Sequence, residues 1–156
     1  MSPPRDYFPS RPGEPEPLTA TARRRVRFEE VDMLNIAWHG HYVSFLDDGR
    51  VAFGDRYPVL SYRHLHQVKV AAPIVQLHID FQAPLFFDEE MTVSASLHWS
   101  EAVRLNFSYL VTGPEGRLVA RAWSVQLLVD EQRHTLLVPP DWFAEFREQW
   151  RQGKLA

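Results

Sequence analysis

Arg27-Phe28-Glu29-Glu30-Val31-Asp32-Met33-Leu34-Asn35-Ile36-Ala37-Trp38-His39-Gly40-His41-Tyr42 joins an alternating, strand-like segment to the start of an amphipathic helix. Upstream, Thr19 to Phe28 reads as a strand with Arg23, Arg25 and Arg27 on one face and Arg24, Val26 and Phe28 on the other. Downstream, Tyr42, Phe45, Leu46, Gly49, Ala52 and Phe53 recur at helical spacing, which predicts a helix from about His41 to Tyr57 with one buried stripe. A carboxylate, Asp32, therefore stands at a strand end close to a helix N-terminus. Such a terminus offers unpaired backbone N–H groups and a partial positive charge, so a carbonyl polarised there is open to attack by, or through, the carboxylate. The stretch is a candidate acyl-transfer site.

On the helix, Gly49 and Ala52 are small enough for the stripe to approach a sheet closely. With about 100° between successive residues, Asp47 falls on the far side, in solvent, and Asp48 on a flank. Beyond Ala72-Pro73 the pattern turns to strands at Ile74 to Phe81, Met91 to Trp99, Val103 to Thr112, Leu118 to Val129 and a short Thr135 to Val138. Val75, Leu77, Ile79 and Phe81 alternate, as do Leu105, Phe107, Tyr109 and Val111, as a sheet with one face on a core requires. Gly113-Pro114-Glu115-Gly116 reads as a hairpin turn. A C-terminal helix is expected from Asp141 as N-cap, with Trp142, Phe143, Phe146 and Trp150 on its apolar face. One strand, a long helix and a run of antiparallel strands define an α+β domain whose sheet wraps a central helix.

The chain has 156 residues, 45% of them hydrophobic, enough for a single core and no second domain. Its formal charge of −3 provides no broad field for nucleic acid. With no cysteine there is neither a disulfide framework nor a thiolate nucleophile. No apolar run is long enough for a signal peptide or a membrane span, so a cytoplasmic protein without a membrane partner is expected. Residues 1–17 carry Pro3, Pro4, Pro9, Pro12, Pro15 and Pro17 and form an expected arm, followed by one domain over 18–156. Tyr7 and Phe8 in that arm are able to dock on the body or on a neighbouring subunit.

The residues from about Ala22 to Val138 resemble the hotdog-fold acyl-CoA thioesterases, in particular the 4-hydroxybenzoyl-CoA thioesterase-like family. The resemblance is carried by Val26-Arg27-Phe28, Asp32, Trp38-His39-Gly40 leading to Tyr42, Arg50 in the helix, and Ala72-Pro73-Ile74-Val75 opening the second strand. It implies hydrolysis of an acyl-CoA or acyl-carrier thioester at a site shared between subunits of a homodimer or tetramer. It implies no cofactor, since CoA is part of the substrate. Asp32 would be nucleophile or general base, and the backbone N–H near His39 the oxyanion donor, with Gly40 and His41 beside it. Three positions depart from the family pattern. Asn35 stands in place of glycine between the aspartate and the helix, His41 in place of asparagine before the tyrosine, and Asp88 in place of a turn glycine.

Each candidate also has a plainer role. Asp32 fits an Asx turn closing the connection. Trp38, Tyr42 and Phe45 fit either an acyl pocket or core packing. Arg23, Arg25 and Arg27 fit a solvated face or contacts to the phosphates of a nucleotide-bearing substrate. His39 and His41, two residues apart, do not share a helix face, and no third ligand at matching spacing accompanies them, so no metal is expected. His64, His66, His78, His98 and His134 are scattered and read as surface or satisfied polar residues. Asp48 is the alternative carboxylate, by analogy with a related hotdog branch whose helix opens on His-Gly-Gly. The alternative outside enzymes is a non-catalytic acyl-CoA or acyl-carrier binder.

Overall fold

The computed structural model describes residues 6–155. The first five residues of the expected arm, with Pro3 and Pro4, and Ala156 lie outside that range. Strand β1 (Leu18–Arg25) is followed by a 3-10 turn at Phe28–Glu30 and a second at His39–His41, which runs directly into helix α1 (Tyr42–Arg56). A 3-10 turn and the short helix α2 (Tyr62–Gln67) lead to β2 (Ile74–Phe81), β3 (Glu90–His98), β4 (Arg104–Thr112), β5 (Leu118–Leu127) and helix α3 (Asp141–Arg151). The strands form one sheet in the order β1-β3-β4-β5-β2, with every neighbouring pair antiparallel.

The sheet curls around α1. Register aligns Ala95 with Tyr109 and Ala122, Leu97 with Phe107 and Ser124, and Val93 with Val111 and Ala120. These rows face the helix stripe of Tyr42, Phe45, Leu46, Gly49 and Phe53, all buried. Gly49 is the point of closest approach, since a Cβ there would lie 2.9 Å from Val93 Cγ1 and 3.3 Å from the Ala95 Cβ. Replacing Gly49 by leucine is therefore expected to cost about 1–3 kcal/mol from overpacking, read as a lowered urea midpoint with unchanged slope. Ala52 is only half-buried and contributes less to this contact than its place in the stripe suggests.

Four sequence expectations are corrected. β1 ends at Arg25, three residues early, because Val26 is pinned by backbone bonds to the turn before β3 (Val26 N–H to Glu89 O, Asp88 N–H to Val26 O). Phe28, read on the same strand face as Val26, parts from it: Val26 is buried and Phe28 is 80% exposed on the 3-10 turn that follows. Thr135 to Val138 is no strand: Thr135 makes a single bridge to Val129, and Leu137 and Val138 point to solvent. Finally, Pro140, not Asp141, is the α3 N-cap, leaving Asp141 in the first turn as favourable negative charge. The apolar face of α3 is as expected, with Phe143, Phe146 and Trp150 buried and Trp150 set edge-on against Trp99 at 5.1 Å.

The turn glycine replacements behave as their side chains allow. Asn35 and Asp88 both adopt left-handed backbone, φ 61° and 63°, which asparagine and aspartate tolerate better than other L-residues. The outer face of the sheet is polar, with Thr19 bonded to Ser96 and His98 to Ser108. The N-terminal arm crosses part of it. Tyr7 stacks flat on Trp123 at 3.5 Å, Phe8 lies against His98, and Trp150 Nε1 donates to the Glu16 carbonyl. Docking on the body is thus the arrangement of these aromatics.

Candidate active site

Asp32 sits on a tight loop that folds back on itself. Val31 and Ala37 bridge, the Asp32 N–H donates to Ile36 O and the Asn35 N–H to Asp32 O. The Leu34 N–H donates to Asp32 Oδ1 at 2.8 Å, which is the Asx turn foreseen as the plainer role. One carboxylate oxygen is thereby fixed, and Oδ2 takes part in no hydrogen bond among the described residues. Two strand-like contacts brace the loop from behind: Ile36 bridges Phe86, and the Ala37 N–H donates to Leu85 O at 2.7 Å. The carboxylate is half-buried on a rigid support.

The returning strand delivers the helix start. The Trp38 N–H donates to Glu30 O, and the His41 N–H to Trp38 O. The His39 and Gly40 N–H groups, the first two of the turn, donate to no group among the described residues. The Trp38 indole occupies the space beside Gly40: a Cβ there would lie 2.1 Å from Trp38 Cζ3, so any larger residue would displace that ring. His39 and His41 flank the same ring at 5.0 and 5.5 Å between centroids. Asp32 and His39 thus lie on one connection, Asp32 within the loop closed by the Val31–Ala37 bridge and His39 in the turn that opens α1. No hydrogen bond joins them.

Of the three aromatics considered for an acyl pocket, two are core residues. Phe45 is fully buried and Tyr42 is 3% exposed, packed edge-on to Phe81 at 4.9 Å. Trp38 alone, 47% exposed, presents a ring face beside the helix start.

Asp48 lies elsewhere, on the α1 flank facing β1. It accepts from Arg24 Nε at 2.8 Å, and Arg24 also makes two parallel 2.7 Å bonds to the carboxylate of Glu30. The Glu30 bonds hold the Arg24 guanidinium well above its ordinary range despite partial burial. Burial pushes the Glu30 carboxyl up, but bonds from Arg24 and the Arg27 N–H prevail and leave it below the usual carboxylate range. Glu30 was missed from the sequence. The signal was Arg24 itself, a cation sharing a strand face with buried Val26. Asp47 is not simply solvated, since it accepts from Arg50 Nη2 at 2.5 Å and Tyr62 Oη at 3.0 Å. Arg23, Arg25 and Arg27 are exposed; Arg25 reaches Asp88 at 3.6 Å. Among the described residues no group of three or more His, Asp or Glu gathers as metal ligands.

With a carboxylate on a braced loop, open amides at a helix start and a sheet wrapped on that helix, the fold can be set beside known proteins. A family model described as the thioesterase-like superfamily matches residues 26–147. The chain belongs to this superfamily. Membership makes it a thioester hydrolase, and its five-stranded antiparallel sheet around a long helix is the hotdog fold. A Bacillus subtilis (strain 168) protein named "Putative acyl-CoA thioesterase YneP" is 24% identical over 127 residues, 79% of this chain and 91% of that one. A hypothetical protein from Thermus thermophilus, TT1821, superposes with TM-score 0.72 at 29% identity over 80% of this chain and 95% of its own. The DHNA-CoA thioesterase of Staphylococcus aureus shares the fold at TM-score 0.74 and 16% identity, over 88% of this chain and 97% of its own.

Proposed function

We propose that this superfamily member hydrolyses an acyl-CoA to the free acid and CoA, with Asp32 as the catalytic carboxylate and the His39 and Gly40 amides as oxyanion donors. The observation that carries this reading is an oriented carboxylate on the connection that leads to the helix start, where the His39 and Gly40 N–H groups have no acceptor among the described residues. As general base, Asp32 takes a proton from water, whose oxygen attacks the thioester carbon. The carbonyl oxygen becomes an oxyanion facing the amides, the C–S bond breaks, and the CoA thiolate leaves and is protonated. As nucleophile, Asp32 displaces the thiolate to form a mixed anhydride that water then opens. The name of the Bacillus subtilis relative supports CoA as the carrier. In these reactions the chain needs no cofactor, and the cytoplasm is its proposed compartment.

A shared site in a homodimer is part of the same reading. Strand β2 is a sheet edge with Ile74, Val75, Leu77 and Phe81 between 38% and 52% exposed, an apolar edge that calls for cover. Met33, fully exposed at the tip of the Asp32 loop, and Phe87 add apolar surface near the site. A thiol-release assay over aliphatic and aromatic acyl-CoAs tests the function: turnover of at least one is expected, and binding without turnover across the panel would instead establish a binder.

A further inference from the structure

Both ends of the connection that carries Asp32 are bonded to one short turn, residues 84–89. At the upstream end the Val26 N–H donates to Glu89 O at 3.0 Å and the Asp88 N–H to Val26 O at 3.1 Å. At the downstream end the Ala37 N–H donates to Leu85 O at 2.7 Å, the Phe87 N–H to Asn35 O at 3.3 Å, and Ile36 bridges Phe86. Asp32 lies between these anchor points, and the His39 amide follows two residues after the second. The placing of the carboxylate relative to the helix start therefore depends on how firmly the 84–89 turn is held.

Leu85, fully buried, fixes that turn on its core side. Its other side is held from the far hairpin by Arg117, the residue before β5. Arg117 Nη2 donates to Glu89 Oε2 at 2.6 Å and to Pro84 O at 3.1 Å, so one guanidinium nitrogen joins the two ends of the turn. Glu89 Oε2 also accepts the Phe86 N–H at 2.9 Å, inside the turn. Burial pushes the Glu89 carboxyl up, but the bonds from Arg117 and the Phe86 N–H prevail and leave it below the usual carboxylate range. The Gly113-Pro114-Glu115-Gly116 turn is built to present this arginine. The Gly113 N–H donates to Arg117 O at 2.8 Å and the Arg117 N–H to Pro114 O at 3.2 Å, and a Cβ at Gly113 would lie 3.0 Å from Arg117 Nη2.

We propose that Arg117 is a positioning residue for thioester hydrolysis: through Glu89 and Pro84 it fixes the turn that sets Asp32 against the His39 and Gly40 amides. This rests on the reading of Asp32 as the catalytic carboxylate. The simpler role for Arg117 is a surface ion pair, and the two roles separate by what they affect. With side chains 38% and 22% exposed, the Arg117–Glu89 pair adds little to stability. A shift of a reacting group by about 1 Å, in contrast, costs on the order of 10² in rate.

The test compares full-length variants on an acyl-CoA that the parent hydrolyses. Arg117→Ala is expected to lower kcat by about 10–100-fold with KM within about threefold, while the melting midpoint falls by no more than about 4 °C. Arg117→Lys, which keeps a cationic nitrogen donor on a long stem, should recover most of the lost kcat. Amide hydrogen exchange reads the brace without reference to Asp32: the Val26 and Ala37 N–H groups should exchange about tenfold faster in Arg117→Ala. Parent kcat in Arg117→Ala, a loss that Arg117→Lys does not recover, or unchanged exchange at both amides would each overturn the proposal. Parent kcat in Asp32→Asn would remove the Asp32 reading instead, and it shows in that variant whatever Arg117→Ala does. If Arg117→Ala does not fold, Arg117→Met, which keeps the apolar stem, decides by the same measurements.

Discussion

Asp32→Asn is expected to lower kcat for acyl-CoA hydrolysis by about 10²–10⁴-fold, the range spanned by a positioned general base. The substitution is well matched to the structure. Asparagine keeps an oxygen able to accept the Leu34 N–H, so the Asx turn survives while the basic and nucleophilic oxygen is lost. The melting midpoint should therefore stay near that of the parent, and circular dichroism should be unchanged. Alanine would be a poorer test because it also removes the turn bond. Asp48→Asn provides the contrast. Its carboxylate is engaged with Arg24 on the β1 side of α1, and with its side chain 39% exposed that pair contributes at most about 1 kcal/mol. Turnover should survive in Asp48→Asn. An Asp32→Asn enzyme with the parent kcat, paired with an inactive Asp48→Asn enzyme, would transfer the carboxylate role to Asp48 and sink the proposed assignment.

The fold was readable wherever a periodicity ran long enough to exclude alternatives. The α1 stripe and the alternation of β4 each extend over two or more repeats, and the structure places them as expected, whereas the alternating apolar residues Val75, Leu77 and Phe81 of β2 are exposed on the edge strand instead of facing the core. Segment ends were less readable because tertiary bonds decide them. Nothing local shows that Val26 is pinned by Glu89 and Asp88, and that pinning is what turns Phe28 outward. Thr135 to Val138 has strand-like residues but no neighbour with a free edge beyond the Val129 bridge. At the site, the sequence located Asp32 and the helix start but could not choose between an Asx turn and a catalytic carboxylate. The geometry shows that the two are compatible, since the turn uses one oxygen and leaves the other. The aromatic residues went the other way: helical spacing alone cannot distinguish a pocket wall from core, and burial assigns Tyr42 and Phe45 to the core.

Glu30→Gln should be the most damaging single change away from the proposed chemistry. The Glu30 side chain is 7% exposed and holds both Nη atoms of Arg24, whose side chain is 21% exposed. Removing one member of a buried pair costs about 3–5 kcal/mol, and Asp48 still faces Arg24 Nε, so a loss near 3 kcal/mol is expected, or roughly 6–12 °C in midpoint. The pH dependence identifies the cause. Because the folded state holds the Glu30 carboxyl below its ordinary value, the pair stabilises fully above the unfolded pKa of about 4.3. That stabilisation is lost as pH falls through the folded pKa. The gap in midpoint between parent and Glu30→Gln should therefore be constant from neutral pH down to about 5 and shrink in stronger acid. A gap equally wide at low and neutral pH would mean that shape, not charge, accounts for the loss. The double variant Arg24→Met with Glu30→Met should recover much of the stability, since an apolar pair of similar volume needs no desolvation of two ions. Recovery would separate the ionic bond from the fold it sits in, and show that the base of the Asp32 loop tolerates either kind of packing.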